Sequence, residues 1–259
     1  WLCDDEAVCF DVEKKSTAQF EIWSQLQRIN IDMVFQKKEN HFKSLLLADM
    51  DSTMIEQECI DELADMCGVG SEVKKITTRA MNGELGFHDA LNERVSLLAQ
   101  CSSSIVEQVL EKRITFRLGG KTLVSTMKAN GAYTALVSGG FTSFSIPIGT
   151  NLGFDEQHAN ILVEENGVFT GKVAEPILGK NEKVNQLNRL VKERGLMHSD
   201  VLAVGDGAND LGMLAIAGIG VAMHAKPIVA EKCDIVINHC DLSSLLYLQG
   251  YKKEDFVST

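Results

Sequence analysis

Asp49 and Asp51 stand two positions apart at the end of the apolar run Leu45 to Ala48, with Ser52, Thr53, Glu56 and Glu58 close behind. Carboxylates that close repel each other, so something cationic must complete the stretch. Two other short apolar runs end in the same manner. Ser138-Gly139-Gly140 follows "YTALV", and Gly205-Asp206-Gly207-Ala208-Asn209-Asp210 follows "VLAV". In open parallel sheets, ligands bind beyond the carboxyl ends of the strands. Together these residue types can do phosphate chemistry around a hard dication. Mg2+ takes oxygen ligands in octahedral geometry, commonly one or two carboxylates plus phosphate oxygens and water. Asp49 and Asp206 on neighbouring strands can supply the carboxylates, with Asp210, one helical turn later, behind them. The cation would relieve the repulsion and lower the carboxyl pKa values. Donors for the phosphate oxygens are available from Ser138, the N–H groups around Gly139 and Gly140, and a lysine.

Taken singly, each motif is ambiguous, since an Asp after a strand often caps a helix and a Ser-Gly-Gly often only turns the chain. Their occurrence together, in this order, is what carries the reading. A calcium-binding EF-hand loop fails for "DMDSTMIEQECI", because the required Gly and Glu positions hold Met54 and Ile60. The chain contains neither G-x-x-x-x-G-K-[ST] nor G-x-G-x-x-G after a strand, so nucleotide loops are excluded as well.

The elements that must position these residues alternate. The runs "LLLAD", "YTALVSGG", "VLAVGDG", "IGVAM" and "DIVIN" each lead into a stretch of helical spacing. That alternation predicts an α/β fold, a parallel sheet with helices on both faces. The insert from Met54 to about Arg117 is too long for an ordinary crossover. Ile55, Cys59, Ile60, Leu63, Ala64 and Cys67 share one helical face, as do Phe87, Leu91, Val95 and Leu98. The insert therefore reads as a helical cap domain. Asn166-Gly167 between β-rich arms (161–173) predicts a small hairpin with a type I′ turn. Residues 1–43 differ from the rest, with a possible strand over Ala7–Val12, an amphipathic stretch over Ala18–Ile29 and a polar link. The expected division is 1–43 as an N-terminal segment, 44–53 with 118–259 as the α/β core, and 54–117 as the cap.

Composition sets outer bounds. The chain has 259 residues, 45% hydrophobic and 24% charged, with a formal net charge of −11. That charge argues against nucleic acid and anionic membranes as partners. No apolar run reaches the length of about 18 residues that a membrane helix needs. No secretory signal is visible, and the opening Trp1 reads as the start of a fragment. The seven cysteines include no C-x-x-C and read as reduced thiols of a cytoplasmic protein.

"DMDST", "VSGGF" and "GDGAND", with a lysine between the last two, resemble the haloacid dehalogenase-type phosphohydrolases. "IEQECIDELADMCGV" and "KKITTRAMNGELGFHDALNERVSLL" extend the resemblance to the branch that hydrolyses phosphoserine. It runs from about Ser44 to Leu248. It implies a Rossmannoid core with a helical cap, and a Mg2+-dependent phosphatase releasing L-serine and phosphate through an aspartyl-phosphate, the last step of L-serine biosynthesis. By the same resemblance Asp49 is nucleophile and metal ligand. Asp51 is general acid and base and binds metal through its carbonyl, which requires its pKa to stand above that of Asp49. Ser138, Gly139, Lys183 and Asn209 bind the phosphate end, Asp206 binds the metal, and Asp210 supports it. Lys180 matches less well than Lys183. On the cap, Glu58 matches the ammonium anchor, Arg94 the carboxylate grip, and Met81 and Phe87 the apolar walls. The N-terminal segment is too short for a whole regulatory amino-acid-binding domain and reads as a remnant with a linker. "AVCFDVEKK" only echoes a D-x-D strand. A homodimer is the assembly this reading allows for. Its rivals are a phosphatase for another phosphomonoester and a non-catalytic amino-acid sensor.

Overall fold

The computed structural model describes residues 1–13, 18–38, 41–81, 84–179 and 181–258, the side chain of Met81 excepted. In chain order, α1 (Gln19–Gln27) precedes β1 (Leu45–Ala48), and α2 (Cys59–Met66), α3 (Gly70–Met81), α4 (Phe87–Ser96) and α5 (Ile105–Lys112) follow. Next come α6 (Gly120–Ala129), β2 (Tyr133–Phe141), α7 (Thr142–Leu152) and β3 (Glu156–Asn160), then the pair β4 (Leu162–Glu165) and β5 (Val168–Val173). The chain continues through α8 (Glu182–Glu193), β6 (Val201–Gly205), α9 (Leu211–Ile216), β7 (Ile219–Met223), α10 (Pro227–Ala230), β8 (Ile235–Ile237) and α11 (Ser244–Leu248).

β1 is four consecutive buried residues because both faces of the sheet are covered. Leu46 and Ala48 point into one apolar cluster, with Leu136, Leu202 and Val204. Leu45 and Leu47 point into another, with Val137, Val201 and Ala203. Helices α6, α7 and α11 fill the first cluster through Leu123, Met127, Phe144, Ile148 and Leu245. Helices α8 and α9 fill the second through Leu187, Leu190 and Met213. The strand order is β3-β2-β1-β6-β7-β8, parallel throughout. The order reverses between β1 and β6, the switch point at which open sheets bind ligands.

The hairpin forms as expected. β4 and β5 pair antiparallel, and Asn166 (φ 53°) and Gly167 (φ 79°) both adopt the positive φ of a type I′ turn. The insert after β1 folds into α2 to α5, which pack on one another and seat on the hairpin through α4 and β5. Two details depart from the sequence reading. Ala7–Val12 forms no strand; Val8, Phe10 and Val12 are exposed, and Ala7 makes only an isolated bridge to Cys3. β3 went unanticipated because "EQHAN" is polar. It is an edge strand whose Glu156 faces Arg189 of α8 rather than the core. The cysteines are also not all unpaired: Cys67, ending α2, and Cys101, beyond α4, form a disulfide pair with Cα atoms 6.0 Å apart.

Candidate active site

β1 and β6 lie in register, Ala48 opposite Val204, so the residues following them emerge side by side. Asp49 donates its N–H to the Val204 carbonyl at 3.0 Å, which extends the pairing by one residue and brings its carboxylate over the sheet's end. Asp206 emerges next door, and Asp210 caps the start of α9. Oxygens from Asp49, Asp206 and Asp210 lie within 4.8 Å of one another, and all three residues are buried. Gly205 makes this possible: any Cβ there would strike the Asp210 side chain.

Lys183, buried at the start of α8, reaches Asp49 Oδ1 at 2.6 Å and Asp210 Oδ1 at 2.5 Å. The other oxygen of Asp210 accepts from Gly207 N–H at 2.9 Å. Two of the three carboxylates, Asp49 and Asp210, thus share one buried ammonium. Burial, and then the charge of Asp210, push the Asp49 pKa well above the ordinary carboxylate range, against the pull of Lys183. Burial alone would lower Lys183, but Asp210 and Asp49 outweigh it and hold the ammonium charged. The cluster carries surplus negative charge in a dry place and offers only oxygen ligands. That is the donor set a hard dication takes, so the residues present fit a divalent metal. Two side chains that sequence reasoning left without a role also meet here. Thr53 donates Oγ1 to Asp206 Oδ1 at 3.4 Å, and Lys226 places its ammonium 3.8 Å from Asp206 Oδ2. Lys226 follows the end of β7, so the strand-end rule applied to "IGVAMHAK" would have found it.

Asp51 forms the second half of the floor. Its Oδ1 accepts from Cys59 N–H at 2.9 Å and its Oδ2 from Ser138 Oγ at 3.1 Å. Ser138 Oγ in turn accepts from Gly140 N–H at 2.8 Å. A Cβ on Gly140 would come within 2.8 Å of Asp51 Oδ2, so glycine is needed for the strand to approach. Asn160 at the end of β3 ties down the Gly139 carbonyl at 2.9 Å. Burial raises the Asp51 pKa, and the Cys59 and Ser138 donors only partly oppose it. The crowding of Asp49 with Asp210 is a feature that the sequence spacing does not reveal.

The cap supplies the remaining groups. Glu58 sits just before α2 and accepts from Ser52 Oγ at 2.8 Å. Burial and the charge of Asp51 push its pKa up to about 7. Arg94, half-buried on α4, donates Nε to the Ala90 carbonyl at 3.2 Å. Burial lowers its pKa, while the charges of Asp61, Glu58 and Asp51 act the other way. The Phe87 ring packs over Gly139, 3.6 Å from where a Cβ would stand. Asn209 is half-buried and folds back over Gly207. The structure therefore brings Asp49, Asp206, Asp210 and Lys183 into one cluster. Asp51 with Ser138 and Gly139, and Glu58 with Arg94 and Phe87, surround it. The Met81 side chain and Lys180 lie outside the described residues.

Residues 46–215 match the family model for haloacid dehalogenase-like hydrolases. A phosphoserine phosphatase of Methanocaldococcus jannaschii is 43% identical over 204 residues, which cover 79% of this chain and 96% of that relative. One from Archaeoglobus fulgidus is 40% identical over 223 residues, covering 85% of this chain and 64% of that relative. Among solved structures, a phospho-aspartyl intermediate analogue of a phosphoserine phosphatase superposes with a TM-score of 0.72 at 42% identity, covering 80% of this chain and 98% of that one.

Proposed function

The chain belongs to the haloacid dehalogenase-like hydrolases, and from that premise we propose that it hydrolyses O-phospho-L-serine to L-serine and phosphate. The observation that carries this reading is the facing pair of sites. A buried carboxylate–lysine cluster at the strand ends suits a phosphoryl group, and an acid and a guanidinium on the cap suit the two charges of an amino acid.

Asp49 is the nucleophile. Its carboxylate attacks phosphorus to give an aspartyl-phosphate, which splits one displacement into two easier ones. Lys183, held by Asp210, keeps a fixed positive charge against the attacking oxygen. Asp51 protonates the leaving seryl oxygen and then accepts a proton from the water that hydrolyses the intermediate. Its raised pKa suits the first of these steps, and its two fixed donors aim it. Ser138 and the backbone at Gly139 hold phosphate oxygens, with Asn209 and the exposed cation of Lys226 beside them. Mg2+ is the metal proposed, held by Asp49, Asp206 and the Asp51 carbonyl with Asp210 behind, and when bound it supplies charge neutralisation and orientation of the phosphoryl group. On the cap, covering 54–117, Glu58 pairs with the substrate ammonium and Arg94 with its carboxylate, whose planar shape fits a guanidinium fork. Phe87 and Met81 wall the three-carbon body.

The proposed place in metabolism is the last step of L-serine synthesis. Cytoplasm is the proposed setting, which the free thiols at Cys3, Cys9, Cys59, Cys233 and Cys240 suit and the Cys67–Cys101 pair does not. Among the described residues no helix is long and apolar enough to cross a membrane. A homodimer belongs to the same proposal. Steady-state phosphate release across a panel of phosphomonoesters, with Mg2+ and then with a chelator, tests it. Phosphoserine is expected among the best substrates and release to stop on chelation. Equal rates for esters lacking the ammonium or the carboxylate would overturn the substrate assignment.

A further inference from the structure

The cap hangs from the core by two chain crossings, and these are zipped together. Ile55 and Phe116 form an antiparallel bridge. Glu56 N–H donates to the Thr115 carbonyl and Arg117 N–H to the Met54 carbonyl, each at 3.0 Å. Gln57 and Thr115 exchange two further bonds, the Gln57 amide donating to Thr115 Oγ1 and the Thr115 N–H to Gln57 Oε1. From the returning crossing, half-buried Arg117 donates its Nε to the Ser52 carbonyl at 3.1 Å.

Ser52 is an unusual residue to hold. Its φ is 57°, in the left-handed region that a non-glycine residue seldom adopts without support. Its other polar groups are committed as well. Its N–H donates to the Gln57 carbonyl at 3.2 Å, and its Oγ donates to Glu58 Oε1 at 2.8 Å. A strained peptide persists only where its surroundings over-determine it. Here the surroundings are the hinge ribbon on one side and a guanidinium on the other. The product of the arrangement is the direction of one carboxylate, that of Glu58. Among the described residues Arg117 makes no hydrogen bond or ion pair to the phosphoryl-transfer half of the site, whereas Ser52 stands directly between Arg117 and Glu58.

We infer that Arg117 is a positioning residue for substrate selection: through Ser52 it holds Glu58 where the substrate ammonium arrives. The inference rests on the reading of Glu58 as the ammonium anchor. It assigns to the cap hinge a share in choosing the substrate. A charge-assisted bond to a backbone carbonyl fixes the turn more firmly than a neutral donor would. Losing it lets Ser52 leave the left-handed region, and the Glu58 carboxylate then loses its fixed donor.

The experiment compares O-phospho-L-serine with 3-phosphoglycerate, which carries a hydroxyl in place of the ammonium. Wild type, Arg117→Ala, Arg117→Lys and each of these combined with Glu58→Gln are assayed for KM and kcat separately. Arg117→Ala is expected to raise KM for phosphoserine by about fivefold, the weight of one such bond. KM for phosphoglycerate and kcat for both esters should hardly move. Arg117→Lys, which keeps the cation but not the planar N–H, should recover part of the loss. In the Glu58→Gln background the Arg117 effect should vanish. If Arg117→Ala fails to fold, Arg117→Lys carries the same comparison at smaller size. Equal losses on both esters, or an unchanged Arg117 effect in the Glu58→Gln background, would overturn the inference while leaving Glu58 in its role. A wild type that does not discriminate the ammonium ester from the hydroxyl ester would overturn the Glu58 reading, and the inference with it.

Discussion

Lys183 on the core and Arg94 on the insert are both cations of the site, and they are held very differently. Lys183 is buried, and both Asp49 and Asp210 grip it within 2.6 Å. Arg94 is half-buried, spends its Nε on its own helix, and meets its acidic neighbours through charge rather than through close ion pairs. The same contrast separates Asp49, whose Oδ1 takes both the Met50 N–H and the Lys183 ammonium, from Glu58, which takes one serine donor. Groups that must stabilise a transition state profit from rigid preorganisation. Groups that must admit, recognise and release a small zwitterion do better when the cap that carries them can move. The difference teaches that the chemistry is built into the sheet and the selectivity into the insert.

The sharpest way to break that contrast is Asp49→Asn. It removes the nucleophile, so phosphate release should fall by at least about 1,000-fold from every ester alike. A loss confined to phosphoserine would show the two halves to be less separate than proposed. Arg94→Ala is the converse. It should cost about 100-fold in kcat/KM on phosphoserine, the weight of a bidentate ion pair. On p-nitrophenyl phosphate, which has no carboxylate, the change should stay within about threefold.

The pH dependence sharpens the comparison further. Glu58, raised to about 7 by burial and by Asp51, is increasingly protonated as pH falls below that value. The neutral acid cannot pair with an ammonium, so KM for phosphoserine should rise about fivefold between pH 7 and 6. 3-Phosphoglycerate should show no such rise, and Glu58→Gln should flatten the profile. The smallest effect lies away from both halves. Asp32 accepts N–H bonds from Asn238, His239 and Cys240, joining the N-terminal segment to the sheet's edge. Burial raises its pKa, but those donors prevail and lower it overall. Its contribution to stability is therefore present above the unfolded pKa of about 3.9 and is lost as pH falls through the folded value. Asp32→Ala should cost about 1–3 kcal/mol in denaturant titration at pH 7. It should cost little in acid, and kcat should not change at either pH.

Much of this was legible in the residues. Runs such as "LLLAD" and "VLAVGDG" are strands because only a covered parallel sheet buries both faces of four or five consecutive aliphatics. Their polar ends mark where a ligand binds, and Asn166-Gly167 fixes a turn that few other pairs can make. β3 was not legible, because an edge strand need not be apolar and "EQHAN" gives no pattern. Ala7–Val12 misled for the opposite reason: its apolar residues suit a strand, yet no neighbouring strand pairs with them.

The sequence by itself determined which polar groups gather beyond the strands and roughly where they lie, because strand ends and turn residues are local features of the chain. Only the tertiary structure decided how those groups share charge. The sharing of Lys183 between Asp49 and Asp210 depends on where α8 and α9 come to rest beyond β1. So does the crowding of Asp49 with Asp210, which with burial raises the Asp49 pKa. The hold of Arg117 on Ser52, across 65 positions of sequence, is likewise set by packing. Electrostatic coupling falls off with distance in space and takes no account of separation along the chain.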